Sequence, residues 1–359
     1  MSGFYNTHIH TFRGDKDVPA RFLPLFLVKI LSTKVGYSVI TTVMKWLSPI
    51  SKNDSFDRYV QFVTIGKLGS QKSIFENCFS QYPADTKFII LSMDMAYMGA
   101  GSVPRDYTEQ LAELRDLHDA YPNNVIPFVH IDCRRDNCFD LFKQAIEEWG
   151  FKGLKLYPPL GTFPYDKRYY PIYNYCQTNY LPVISHCTDG NPVYFKGSQD
   201  DLIQLLQGST LPVDYDGKNN KALCAYFTHP LGYKQVMDDF PNLKICLAHY
   251  GKGNAEQNDV GGLDWDDTIK QMMLTYPNLY VDCAYSMYNE DWWPSVKSQL
   301  STNQQLREHF LFGSDFYLVE VETTEKEFDI KFRSYLGEDL FQQIAVTNPM
   351  KFLNIPQMK

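Results

Sequence analysis

Thr7-His8-Ile9-His10, near the N-terminus, sets two imidazoles two residues apart at the end of the apolar stretch Phe4 to Phe12. Side chains at i and i+2 of a strand leave the same face, so both rings can reach one point. Neutral imidazole is the commonest protein ligand for zinc and metals of similar preference. Later strand-like segments repeat the pattern of a polar residue after an apolar run. They are Leu154-Lys155-Leu156, Leu181-Pro182-Val183-Ile184-Ser185-His186, Ile245-Cys246-Leu247-Ala248-His249 and Phe310-Leu311-Phe312-Gly313-Ser314-Asp315. One histidine closing an apolar strand is most simply a satisfied core residue. Four histidines and an aspartate on four such strands make chance an unsatisfying account and point to a metal site.

The elements that would position these groups form a rhythm of short apolar runs separated by helix-length segments. Strands are predicted at 4–11, 87–95, 124–132, 153–157, 181–186, 243–249, 279–283 and 310–315. Phe88-Ile89-Ile90-Leu91 and Val125-Ile126-Pro127-Phe128-Val129 are apolar throughout, as strands buried on both faces are. Helices are predicted at 106–120, 138–148 and 202–208. The series fits an α/β fold, a (β/α)8 TIM barrel with a helical insertion after the first strand, whose functional groups sit at the C-terminal strand ends. No Gly-x-Gly-x-x-Gly follows the first strand, which argues against a doubly wound dinucleotide fold. The insertion spans about residues 14–86, and nothing in it resembles a Gly/Ser/Pro linker, so one domain over 1–359 is expected.

Composition narrows the function classes. The 359 residues are 44% hydrophobic and carry a net charge of −8, with Lys and Arg scattered, which excludes a nucleic-acid groove. Eight cysteines lack Cys-x-x-Cys spacing, and several lie inside apolar runs as buried thiols do, so a cytoplasmic, reducing setting is expected. The first strand begins by residue 4, so no signal peptide is expected ahead of it. The apolar segment 20–50 is interrupted by Pro24, Lys29, Lys34 and Lys45 and falls short of the roughly 18 uncharged residues of a membrane span. Its aromatic residues, Phe22, Phe26 and Trp46 among them, suit a lid that excludes water, and its apolar faces are compatible with a homodimer. The expected partner is a small-molecule substrate.

In this order the motifs resemble the amidohydrolase superfamily, and most closely its amidohydrolase-2 branch, which includes aminocarboxymuconate semialdehyde decarboxylase. The resemblance is carried by His8-Ile9-His10, Gly153-Leu154-Lys155-Leu156-Tyr157-Pro158, His186, Ala248-His249-Tyr250-Gly251, Gly313-Ser314-Asp315-Phe316 and the ending Asn348-Pro349-Met350-Lys351-Phe352-Leu353. It implies that His8, His10, His186 and Asp315 ligate one Zn²⁺, with Mn²⁺ or Fe²⁺ able to take the same ligands. It also implies that Asp315 is the general base and that His249 stands beside the metal, bonded to substrate or water. In some relatives the lysine on strand four is carbamylated and bridges two metals. Here a free, cationic Lys155 that orients an anionic or carbonyl substrate is expected. Tyr157 replaces a histidine common in relatives and changes one pocket wall.

Arg134 and Arg135, at the end of the third strand, could grip a carboxylate in a bidentate way. Met93, Met95, Tyr97 and Met98 read as packing residues, and His118, His229 and His309 as incidental. Three functions follow: hydrolysis of an ester, lactone or amide, which is preferred; non-oxidative decarboxylation; and a barrel that binds without catalysis.

Overall fold

The computed structural model describes residues 3–22, 62, 64–251, 259–260 and 263–356. Phe26, Trp46 and nearly all of the apolar segment 20–50 lie outside the described residues, and the expectation of a lid falls there. Phe22 is described and packs against the core.

Eight strands form one parallel sheet in sequence order: β1 (Tyr5–Ile9), β2 (Lys87–Leu91), β3 (Val125–His130), β4 (Gly153–Leu156), β5 (Val183–His186), β6 (Ile245–Ala248), β7 (Leu279–Asp282) and β8 (Phe310–Leu311). The sheet curls into a nearly closed barrel. The two edges meet through backbone bonds in which Thr7 N–H donates to Phe312 O (2.9 Å), Asp315 N–H to His8 O (2.8 Å) and His10 N–H to Phe316 O (2.6 Å). Gly313 permits this approach, because a Cβ there would lie 2.8 Å from the His8 Cβ. All eight predicted strands are present with shorter ends, and strand eight regularises over only two residues before the chain turns to present Asp315.

Two cores follow from the alternation of strand side chains. Outward residues such as Phe88, Ile90 and Val129 pack against the helices, while Ile89, Leu91, Phe128, Ile184, Cys246 and Leu311 fill the barrel. Phe352, from the predicted closing helix, joins this inner cluster. Within the predicted insertion, α1 (Gln71–Phe79) sets Phe75 and Phe79 edge-on against Phe88 and so covers the sheet beside β2. The predicted helix at 106–120 is α2 (Tyr107–Ala120), capped by the Asp106 side chain. The helix expected at 202–208 runs from Gln199 to Leu206, because Ser198 supplies its N-cap. Among the described residues, no helix is long and apolar enough to cross a membrane.

One local irregularity aims the first motif. Asn6 pairs with Phe88 and Ile9 with Ile90, so β1 carries one extra residue between them. Such a bulge reverses which face the following side chains leave. Asn6 therefore faces the helical layer, and His8 and His10 face the barrel interior. The Asn6 amide donates to Ser314 Oγ (2.8 Å) and Glu325 Oε1 (3.2 Å), and its oxygen accepts from Ser314 N–H (3.1 Å). This contact ties β1 to the segment carrying Asp315.

Glu325 also accepts from Tyr82 Oη–H at 2.6 Å and is completely buried. Burial pushes its carboxyl up to about 8. In the unfolded chain a glutamate loses its proton near pH 4.3. Between that pH and about 8 the folded state therefore holds more protons, and stability falls as pH rises. Glu325→Gln keeps the accepting oxygen and removes the proton. Its Tm is expected to exceed the parent's clearly at pH 8, with the difference shrinking as pH falls and vanishing near pH 4. Parallel melting curves across that range contradict this.

Candidate metal centre

His8 and His10 end β1 with both rings buried, and each has its Nδ1 fixed by an acceptor. His8 Nδ1–H donates to Asp282 Oδ2 at 2.8 Å, and His10 Nδ1–H donates to Leu91 O at 2.8 Å. Neither partner offers a proton, so both Nε2 atoms carry lone pairs. Those lone pairs face one carboxylate. Asp315 Oδ1 lies 3.7 Å from His8 Nε2 and 3.5 Å from His10 Nε2.

These separations are too long for hydrogen bonds. Two ligands on one tetrahedral zinc stand roughly 3.3 Å apart, given bonds of about 2.0–2.1 Å. His8 Nε2 and Asp315 Oδ1 are buried with no hydrogen-bond partner, an arrangement that costs free energy unless an ion completes it. His8, His10 and Asp315 are the group able to hold a metal ion among the described residues.

Electrostatics favour the same state. Burial, with Lys155 and neighbouring imidazoles, holds His8 and His10 well below the ordinary histidine range, so both rings are neutral. Burial drives the Asp315 carboxyl well above its usual range, with Lys155 pulling it back. A divalent ion would hold it as carboxylate. Asp315 has φ +67°, a left-handed conformation that aspartate tolerates better than most residues.

The other predicted residues gather around this trio. Lys155 on β4 is wholly buried, and its Nζ has no hydrogen-bond partner. Burial lowers its pKa to about 8, with Asp282 and Asp315 resisting the fall, so it is largely cationic at neutral pH. His249 follows β6 with φ +69°. Its Nδ1–H donates to Ala284 O at 2.9 Å, and its Nε2 accepts from His186 Nδ1–H at 2.9 Å. Burial lowers His249 to about 4.

His186 is thus held by His249 on one side, and its Nε2 lies 3.0 Å from the Asn191 carboxamide. It stands next to the trio rather than in it. Tyr157 stacks on His186 with centroids 4.3 Å apart. Arg134 forks onto Asp132 (2.9 and 2.6 Å), and Arg135 places Nε and Nη2 on Asp94 Oδ2 (3.0 and 2.6 Å). Tyr97 lies against both guanidinium groups. The forks expected to face a substrate carboxylate are closed on the protein's own.

Three residues join the site without having been singled out in the sequence. Asp282 ends β7 fully buried; its Oδ1 accepts His249 N–H (2.8 Å) and Ala284 N–H (3.1 Å) while its Oδ2 holds His8. Burial raises its carboxyl, and His249 with its backbone N–H opposes the rise. His130 pairs with Lys155 across β3 and β4, accepts Asp94 N–H on Nδ1 at 2.8 Å, and is lowered by burial to about 3. Asn191 is the third. Asp282 and His130 were findable, since each closes an apolar strand. His118 and His309, read as incidental, bond Val125 O and Gln305 O away from the barrel interior.

Residues 89–355 match the family model described as Amidohydrolase. The match begins in β2, so His8 and His10 lie ahead of it. No curated protein matches the chain at a significant level. Among solved structures, the chain is similar to 5-carboxyvanillate decarboxylase from Novosphingobium aromaticivorans, complexed with manganese and a nitrobenzoic acid. That similarity is 16% identity and TM-score 0.60 over 98% of this chain and 96% of that one. The chain is also similar to 2,6-dihydroxybenzoate decarboxylase from Rhizobium, at 12% identity and TM-score 0.52 over 99% of each chain. A third is 4-oxalomesaconate hydratase from Rhodopseudomonas palustris, at 15% identity and TM-score 0.51 over 98% and 96%. At such identities the likeness is one of fold.

Proposed function

The chain belongs to the amidohydrolase family, and from that premise we propose that it is a metal-dependent hydrolase of a small ester, lactone or amide. The observation that carries this reading is the convergence of two imidazole lone pairs on a buried carboxylate oxygen that has no hydrogen-bond partner. His8, His10 and Asp315 hold one Zn²⁺ in this proposal, and Mn²⁺ or Fe²⁺ suits the same donors. His186 becomes the fourth ligand by exchanging the Asn191 carboxamide for the ion. When bound, the ion acidifies a water and polarises a substrate carbonyl.

The chain's own groups do the rest. Asp315 takes the water's proton on a carboxylate oxygen and delivers it to the leaving nitrogen or oxygen. His249 stands beside the ion with its Nδ1–H held by Ala284 O and its Nε2 accepting from His186 Nδ1–H, so it orients His186 and can only accept a proton from substrate or water. Lys155, buried and unpaired, faces developing negative charge without reorganising. Tyr157, stacked on His186, forms one wall of the pocket. Arg134 and Arg135 shape the rim from their ion pairs with Asp132 and Asp94. One catalytic domain over 1–359 and a reducing compartment complete the proposal; the eight free cysteines, all buried but Cys138, fit the latter.

Decarboxylation is the second reading. The unpaired Lys155 cation suits a substrate carboxylate, and two of the similar structures are named decarboxylases. One experiment separates the two. Metal-loaded protein is incubated in H₂¹⁸O with lactones, esters, dipeptides and aromatic acids. Hydrolysis puts ¹⁸O into the product without CO₂. Release of CO₂ with no label in the remaining product establishes decarboxylation instead, and no turnover of any class overturns both.

A further inference from the structure

We propose that Asp282 is the positioning residue that makes His8 a ligand, by holding the ring proton on Nδ1. This rests on the metal-site reading above. Asp282 is completely buried at the end of β7. Its Oδ2 lies 2.8 Å from His8 Nδ1, with the Cys246 thiol a further donor at 3.8 Å. Its Oδ1 accepts His249 N–H at 2.8 Å and Ala284 N–H at 3.1 Å. A carboxylate only accepts, so the His8 proton must sit on Nδ1, and the Nε2 lone pair is turned toward His10 and Asp315.

The two backbone amides make the arrangement one-sided. They cannot become acceptors, so whatever occupies the Oδ1 position must be an oxygen. In Asp282→Asn they hold the carboxamide oxygen there and force the NH₂ into the Oδ2 position, against His8 Nδ1. Two donors cannot share that contact. The His8 proton moves to Nε2, and the lone pair leaves the metal point. Size and both backbone bonds are unchanged, so the fold has no reason to fail. The same carboxylate fixes the amide of His249 at its positive-φ turn, so one side chain from β7 registers groups from β1 and β6.

The test is calorimetric titration of chelator-treated parent and Asp282→Asn with Zn²⁺, together with ¹⁵N-histidine spectra in which the His8 ring is assigned by its loss in His8→Gln. The expected result is Zn²⁺ affinity about 10–100-fold weaker in the variant, with the His8 proton moved from Nδ1 to Nε2. The spectrum separates this from simple loss of a negative charge, which leaves the proton on Nδ1. If the parent binds Zn²⁺ and the variant binds equally well, or keeps the Nδ1 proton, the assignment to Asp282 is overturned while the metal site stands. If the parent binds no Zn²⁺, the metal reading falls on its own. In that case, or if the variant does not fold, the parent spectrum decides: a proton on His8 Nε2 overturns the role of Asp282, and one on Nδ1 supports it.

Discussion

Asp315→Asn is expected to lower turnover about 10³-fold or more on any true substrate while leaving the protein folded. Proton transfer by a positioned carboxylate is worth roughly 10²–10⁴, and weakening of an anionic ligand adds to that loss. The fold should survive because the Asp315 backbone has φ +67°, which asparagine adopts at least as readily. Its N–H keeps the bond to His8 O that helps close the barrel. The measurement is kcat on metal-saturated protein, with circular dichroism and Tm as the control for folding. Full turnover by a folded, metal-loaded variant contradicts the proton-shuttle role. Loss of turnover with loss of Tm says only that the barrel seam was damaged, so the thermal control is part of the result.

Lys155→Met is the second large effect. The amine is buried in the barrel with no hydrogen-bond partner, and at neutral pH it is mostly a cation despite the lowering by burial to about 8. A preorganised charge in a dry site acts in a low dielectric, where removing one such group typically costs 10²–10³ in rate. kcat/KM is expected to fall by about 10²-fold, or about 2.7 kcal/mol of barrier. Methionine fills nearly the same volume, so folding should be retained. The effect should be larger for anionic than for neutral substrates of equal size. An equal loss for both contradicts a role in recognising negative charge, and no loss at all contradicts any part in the chemistry.

Much of this arrangement could be read from the chain because parallel barrels concentrate information in short strands. Runs such as Phe88 to Leu91 are apolar throughout, since both faces of the strand are covered. The C-terminal ends of those strands are where polar residues stand out. His8, His10, Lys155, His186, His249 and Asp315 were all recognisable on that ground, and all lie in the barrel mouth.

What was not legible depends on contacts that local pattern does not encode. The bulge in β1 turns His8 and His10 inward and leaves Asn6 outward, where it meets Glu325 across 319 residues of sequence, and no periodicity announces that pairing. Arg134 was paired two residues away with Asp132, a spacing that could have been noticed. The partner of Arg135, Asp94, is 41 residues distant. Asp282 was visible as the last residue of Leu279-Tyr280-Val281-Asp282. A carboxylate that only supports a ligand looks, in sequence, like any strand ending in a polar residue. The position of His186 also departs from the simplest expectation, because its Nδ1–H is given to His249 and its Nε2 faces the Asn191 carboxamide oxygen rather than the trio.

The central claim is that His8, His10 and Asp315 form a metal site, and metal stoichiometry tests it most directly. Protein purified without chelator, and protein reloaded after chelation, is analysed for transition metals alongside His8→Ala and His10→Ala. The account predicts one Zn²⁺, Mn²⁺ or Fe²⁺ per chain in the parent and a large loss in each variant. A folded parent that contains no transition metal and takes none up, or variants that retain the parent's full complement, would contradict it.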